Sequence, residues 1–569
     1  MQYGRMKSWR IIVLLACLVV LGTALLGRLS YLQIFRHGFY KALAQGQQAF
    51  PYVAKGERGN ILSQNKQGDF HTLATHDSIF IAFATPPEVE NPQETAKMLA
   101  DILGLQEPFV QEKLSHAESL FELLKRKLSL QEQQAIAQAA LPGIYLKEES
   151  VRQYPQETFA SQLLGFTNQD GQGQYGLEEH YQEELEGKEG FFTSIRSAGG
   201  YLASESKEAL EDGSDLLLTI DYNIQAQAEA LLRREQPKLK FEAGSIVVID
   251  PSSGKILALA NTPGFNPNEY GGVKDLAIFQ NPVIQSLFEP GSVFKPLTMA
   301  GAIDEGALKP ESTFEDKGVV RIGGYKVLNY DERIWGTRSM TEVLEFSINT
   351  GAVFAQQQLG NEKFLRMLEK FGMFYPTGID LAGEAYSTNQ ALKKGYDINF
   401  ATASFGQGIE ITPMQLMRAY MALANKGVMA KPYVVEKIMK EGAEYSTKPE
   451  FSLPVISSKT ANLVTQMMVN VVEKGFSKRA KIPGYYLAGK TGTAQVPWSA
   501  LGQNRSGYSD KTIQSFVGFA PAYDPKFLML VKLDNPQAKT AEYSAMPLFR
   551  ELAKYIIDYL EIPPDYEVE

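Results

Sequence analysis

A serine placed three residues before a lysine can support acyl transfer. At Glu289-Pro290-Gly291-Ser292-Val293-Phe294-Lys295-Pro296, the Pro-Gly pair predicts a helix start. On a helix, Ser292 and Lys295 share one face a turn apart. A neutral lysine there can take the serine proton, provided burial or a nearby cation lowers its pKa. A helix N-terminus also favours negative charge developing beside Ser292. The spacing alone is weak, because Ser63/Lys66, Ser204/Lys207 and Ser252/Lys255 repeat it. The last of these reads as a hairpin turn and the middle one as a charged surface stretch. Two later motifs add weight. Ser347-Ile348-Asn349, expected inside a helical run from Met340, offers a second hydroxyl to relay a proton and an amide to orient it. Lys490-Thr491-Gly492-Thr493 carries the only K-T-G of the chain, just before strand-like Ala494-Gln495-Val496. Lys490 can hold a substrate carboxylate and depress the pKa of Lys295, while Gly492 would let a ligand backbone approach closely. Taken singly, each motif has an ordinary reading: a helix-cap serine, or a surface lysine before a turn.

Other chemistries are excluded from this stretch. No histidine follows His180 and the one cysteine is Cys17, so it holds no Ser-His-Asp triad, no cysteine nucleophile and no His-ligated metal. His37, His71, His76, His116 and His180 lack metal-ligand spacing and read as solvated or packed side chains. No intramolecular disulfide is possible. No cofactor is expected. A formal net charge of −9 lacks the basic footprint of a nucleic-acid binder. With 44% apolar and 21% charged residues the chain is globular in type. Its 569 residues suggest two to four domains, at about 150 residues each.

The elements that must position these residues follow from local pattern. Ile11 to Gly27 is uncharged, the lower limit for spanning a bilayer, and apolar character continues to Phe35. We expect a cytoplasmic tail over 1–10 and an uncleaved anchor over 11–35, with the remaining mass outside the cytoplasm. Residues 36–205 read as a mixed α+β region, with helices opening at Asn91-Pro92 and at the capping box Ser129–Glu132 and a strand near Ile79. A connecting segment over 206–242 holds a strand at Asp215–Asp221. From 243 to 569, a hairpin comes first (Ser245–Asp250, Lys255–Ala260) and helices follow. Strands at Gln514–Pro521 and Phe527–Leu533 and a final helix Met546–Leu560 close the chain. Strands at both ends with helices between predict an α+β domain whose sheet is completed late.

S-x-x-K, a Ser-x-Asn element and K-T-G, in that order, form the signature of penicillin-binding proteins and serine β-lactamases. On these motifs the chain resembles a class B penicillin-binding protein, a monofunctional D,D-transpeptidase of cell-wall synthesis. Arg58-Gly59-Asn60-Ile61, Arg152-Gln153-Tyr154-Pro155 and Gly173-Gln174-Tyr175-Gly176-Leu177-Glu178 resemble the family's pedestal motifs. The usual Asp-Arg-Asn-Gly after the first is replaced by Ser63-Gln64-Asn65-Lys66-Gln67-Gly68. Ser404-Phe405-Gly406-Gln407-Gly408 and Thr412-Pro413 are similar to the segment between its second and third catalytic motifs. The resemblance implies a membrane anchor, an elongated α+β pedestal and a transpeptidase domain with a mixed sheet flanked by helices. It implies Ser292 as nucleophile, Lys295 as base, and Ser347, Asn349 and Lys490 as the proton route, with Lys490, Thr491 and Thr493 gripping a terminal carboxylate beside Gly492. It further implies peptidoglycan stem peptides and β-lactams as ligands and a SEDS-type glycan polymerase and other division proteins as partners. Phe288-Glu289-Pro290-Gly291 is similar to the division-type paralogue; an elongation-type transpeptidase, a β-lactamase or β-lactam sensor, and a non-catalytic scaffold are the alternatives.

Overall fold

A computed structural model describes residues 8–31, 33, 50–196, 202–206 and 211–568. They separate into two compact units, one of residues up to 57 with 186–213, the other of residues 58–185 with 214 onward. The first unit holds a helix, Ser8–Ser30, and an antiparallel sheet ordered Phe50–Lys55, Glu189–Arg196, Leu202–Ser206. Among the described residues no helix is long and apolar enough to cross a membrane. The expected anchor over 11–35 falls partly outside the described residues, as does His37.

The second unit carries two large sheets. In one of seven strands, Asp215–Asp221 pairs in parallel with Ile61–Gln64 and antiparallel with Val435–Lys440. The expected strand near Ile79 lies in a longer one, Phe70–Ala84. The helix beginning at Pro92 forms without a side-chain bond from Asn91, whereas Ser129 and Glu132 close the expected capping box.

Three pedestal motifs meet at one buried carboxylate. Arg58 Nε donates to Glu178 Oε2 at 2.6 Å and Arg152 Nε to Oε1 at 2.8 Å, while Tyr154 Oη donates to Oε1 at 3.1 Å. Glu178 has no exposed surface. Burial would raise its pKa, but the guanidiniums of Arg152 and Arg58 outweigh that and hold the carboxyl below its usual range.

The other sheet has five strands, all antiparallel, in the order Ile256–Thr262, Ala243–Ile249, Phe527–Asp534, Tyr508–Ala520, Ala488–Pro497. Its central strands are apolar on both faces, because both are covered. Ile246 and Val248 point into a cluster with Leu231 and Leu232 of helix Tyr222–Leu239 and Phe549 and Leu552 of helix Ala545–Leu560. Val247 and Ile249 point the other way, into a cluster with Leu297, Met414 and Met468. Each such fully buried side chain contributes about 1.5–3 kcal/mol. The strand Ala488–Pro497 is left at the sheet's edge, and helix Lys295–Asp304 is buried along all but its last residue.

Candidate active site

The Pro290-Gly291 pair opens a 3₁₀ turn, Gly291–Phe294, rather than the α-helix itself, which begins at Lys295. The Lys295 N–H donates to the Ser292 carbonyl and fixes the two residues one turn apart. Gly291 has φ +62°, and a Cβ there would lie 2.9 Å from that of Ala494 on the edge strand. The turn is braced from three sides. Gly291 N donates to Gly406 O at 2.9 Å, Thr298 Oγ1 to Ser404 O at 2.8 Å, and Tyr420 Oη to Val293 O at 2.5 Å. The Ser404–Gly408 segment thus acts as a backing for the Ser292 turn. The supports at Tyr420 and Thr298 have no sequence signal, since each depends on a contact more than a hundred residues away.

Ser347 does not sit inside a helix from Met340, as the pattern predicted. That helix stops at Glu345, Ser347 takes φ +55°, and a new helix runs from Asn349 to Leu359. A left-handed serine is uncommon, and such backbone is held only where the surroundings over-determine it. The break turns the Ser347 carbonyl, the Ser347 hydroxyl and the Asn349 amide toward one point. Lys295 Nζ occupies it, donating to Ser347 O at 2.5 Å, Asn349 Oδ1 at 2.8 Å and Ser347 Oγ at 3.1 Å. An ammonium has three protons, and these acceptors use all three.

Lys490 comes from the opposite wall. It lies within the edge strand rather than before it. Its Nζ donates to Ser347 Oγ at 3.0 Å and Thr491 O at 3.0 Å. Ser347 Oγ therefore receives both lysines on its two lone pairs, and its own proton remains available to a third group. At Gly492 the fold itself leaves no room for a side chain: a Cβ there would meet Ser515 Oγ at 2.6 Å and Pro290 O at 3.0 Å. Thr491 and Thr493 are half-buried along the same strand, and Thr493 Oγ1 accepts from Ala541 N at 3.2 Å.

Lys295 is 0% and Lys490 1% exposed, with no carboxylate among the bonds to either amine. Burial pushes the Lys295 pKa well below its ordinary value, and the Lys490 charge pushes it further. Burial alone brings Lys490 down to about 7. Two buried ammoniums sharing one hydroxyl each disfavour the other's charge, and Lys295, bearing both effects, is the one that yields its proton more readily. A lysine that gives up its proton here lies one turn from half-buried Ser292, which suits the site to remove a hydroxyl proton without histidine.

Among the described histidines, His71 stacks on Tyr222 and His116 bonds Glu122. Among the described residues no group of three or more His, Cys, Asp or Glu is placed to hold a metal ion.

Residues 244–554 match the family model for the penicillin-binding protein transpeptidase domain, and residues 53–218 that for the penicillin-binding protein dimerisation domain. The chain is 31% identical to stage V sporulation protein D of Bacillus subtilis, over 90% of this chain and 79% of that protein. It is 28% identical to the peptidoglycan D,D-transpeptidase FtsI of Escherichia coli, over 99% of this chain and 94% of the relative. Among solved structures, penicillin-binding protein 3 of Mycobacterium tuberculosis with aztreonam superposes with a TM-score of 0.70 at 26% identity. That match covers 90% of this chain and 98% of the other.

Proposed function

The chain belongs to the penicillin-binding protein transpeptidase family, and on that premise we propose that it is a serine-type peptidoglycan D,D-transpeptidase that also binds penicillins. The observation that carries this reading is the pair of buried lysine amines on one serine hydroxyl, beside a second serine fixed one turn from Lys295.

The family resemblance supplies the steps, and the placement of these residues supports them. Neutral Lys295 takes the Ser292 proton as Oγ attacks the penultimate D-Ala carbonyl of a stem peptide. The backbone N–H groups of Ser292 and Thr493 receive the oxyanion, each worth about 2.7–4 kcal/mol in the transition state. The C–N bond breaks, the Ser347 hydroxyl gives its proton to the departing D-Ala amine, and the lysine pair restores that proton. Because Lys490 is buried, Thr491 and Thr493 make the hydrogen bonds to the terminal carboxylate and Lys490 acts through its field. The donor lies as an added strand along the open edge of Ala488–Pro497. An amine of a neighbouring stem then attacks the ester. A β-lactam enters the same first step and leaves its acyl group on Ser292.

A membrane-anchored position, single-pass with a cytoplasmic N-terminus, is supported by the uncharged run Ile11–Gly27. A septal role alongside a SEDS-type glycan polymerase and other division proteins is supported by Glu289 before Pro290-Gly291. Labelling with a fluorescent penicillin and mapping of the modified peptide tests the enzyme reading. The label is expected on Ser292 and absent from Ser292→Ala; a labelled Ser292→Ala protein would overturn it.

A further inference from the structure

The helix that begins at Asn349 has no cap of its own, since Ile348 stands at its N-cap with no side-chain bond. Its first N–H groups need partners from elsewhere. Thr350 N donates to Asn329 Oδ1 at 3.1 Å, twenty-one residues upstream. The Asn329 amide is itself fixed, its Nδ2 donating to Asp316 Oδ2 at 2.8 Å and to Arg333 O at 3.0 Å.

Asp316 is 2% exposed and collects four donors. Gly318 N at 2.9 Å and Thr350 Oγ1 at 2.7 Å reach Oδ1, while Asn329 Nδ2 at 2.8 Å and Trp335 N at 2.8 Å reach Oδ2. Thr350 belongs to the helix, and the other three donors come from the outgoing and returning arms of an excursion. The chain leaves strand Thr313–Asp316, forms the hairpin Val319–Ile322 with Tyr325–Leu328, and returns in Gly336–Ser339 beside the strand it left. One carboxylate closes the neck of that excursion and ties it to the helix. At the same neck Asn349 Nδ2 donates to Leu328 O at 3.0 Å, which leaves Asn349 Oδ1 aimed at Lys295 Nζ.

We propose that Asp316 and Asn329 act as a cap supplied from outside the helix, positioning residues that hold Ser347 and Asn349 where the Lys295 amine needs them. The inference rests on the transpeptidase reading and adds a task to two residues that contact neither Lys295 nor Ser292. Without the cap, the start of the helix frays, Asn349 Oδ1 drifts, and the amine loses an acceptor. A carbonyl acceptor favours the charged amine, so its loss moves the pH at which Lys295 becomes neutral downward, while misplacement slows the chemistry.

The test uses the full chain and a soluble penicillin as probe. Acylation rate is measured against pH for wild type, Asn329→Ala, Asp316→Asn and the exchange Asp316→Asn/Asn329→Asp, with thermal melts alongside. Asn329→Ala is expected to acylate about 10- to 100-fold more slowly, with the rising limb of the profile displaced to lower pH. Asp316→Asn points an amide at the Asn329 and Trp335 donors and is expected to be slower still. If it fails to fold, Asn329→Ala carries the test alone. The exchange lets the amide at 316 donate to the carboxylate at 329, but it sets that carboxylate against Arg333 O and the amide against Trp335 N, so it is expected to remain slow. A structural role alone would lower the melting temperature and leave the limb in place. An unmoved limb in Asn329→Ala overturns the proposal. Wild type that fails to acylate removes the transpeptidase reading itself, a result distinct from both.

Discussion

Two buried charge clusters in one unit of this chain are built on opposite terms. Around Glu178, two guanidiniums and a phenol converge on a carboxylate that keeps its charge because its cations are in contact. Around Ser347, two amines converge on a neutral hydroxyl, and no carboxylate bonds to either. The first arrangement stabilises ionised groups and fixes the pedestal segments to one another. The second destabilises them, so that a lysine sheds its proton well below its ordinary pKa. The same burial thus yields a tie in one place and a base in the other, and the deciding term is whether a counter-charge is present.

The comparison breaks most sharply if Lys295 is removed. Lys295→Ala loses the base, and penicillin acylation should fall by about 10²- to 10⁴-fold with the melting temperature little lowered, as stopped-flow acylation and calorimetry would show. Glu178→Ala should behave in reverse. It strands two buried guanidiniums at a cost of about 3–5 kcal/mol, while the protein that stays folded acylates at a rate near wild type; chemical denaturation with an active-site titration separates the two. The smallest effect is in pH. Glu178 has a folded pKa below its unfolded value of about 4.5, so the stability it gives is lost as pH falls below that value and through the folded pKa. The lysines have folded pKa values below their unfolded ones, so the unfolded chain binds more protons. Stability should therefore rise with pH from about 7, the Lys490 value, toward the unfolded value of 10.5. Denaturation midpoints in the two windows, compared with Glu178→Gln and Lys490→Met, check the assignment of each.

The chemistry was legible because its residue types are local and ordered: S-x-x-K, S-I-N and K-T-G stand in sequence where no histidine competes. The sheet was legible from apolar runs such as Ser245–Ile249, although the length of the edge strand was not, because Lys490 and Thr491 give no apolar signal. The break at Ser347 was hidden, since neighbours from Met340 to Leu359 favour helix and only tertiary bonds hold a serine at positive φ. Gly492 was read as room for a ligand; its need to fit under Pro290, two hundred residues away in sequence, and beside Ser515 on the neighbouring strand was not visible. Asp316 and Asn329 resemble ordinary turn residues in sequence; their role exists only once the excursion has closed on the helix.

The dependence of Lys295 on its neighbour's charge is tested most directly by the pH profile of penicillin acylation in wild type and Lys490→Ala. Wild type should give a bell, rising as Lys295 deprotonates and falling near pH 7 as Lys490 does. In Lys490→Ala the rising limb should move to higher pH, because the repelling charge is gone, and the falling limb should vanish. A rising limb that stays in place, or moves to lower pH, would contradict the account.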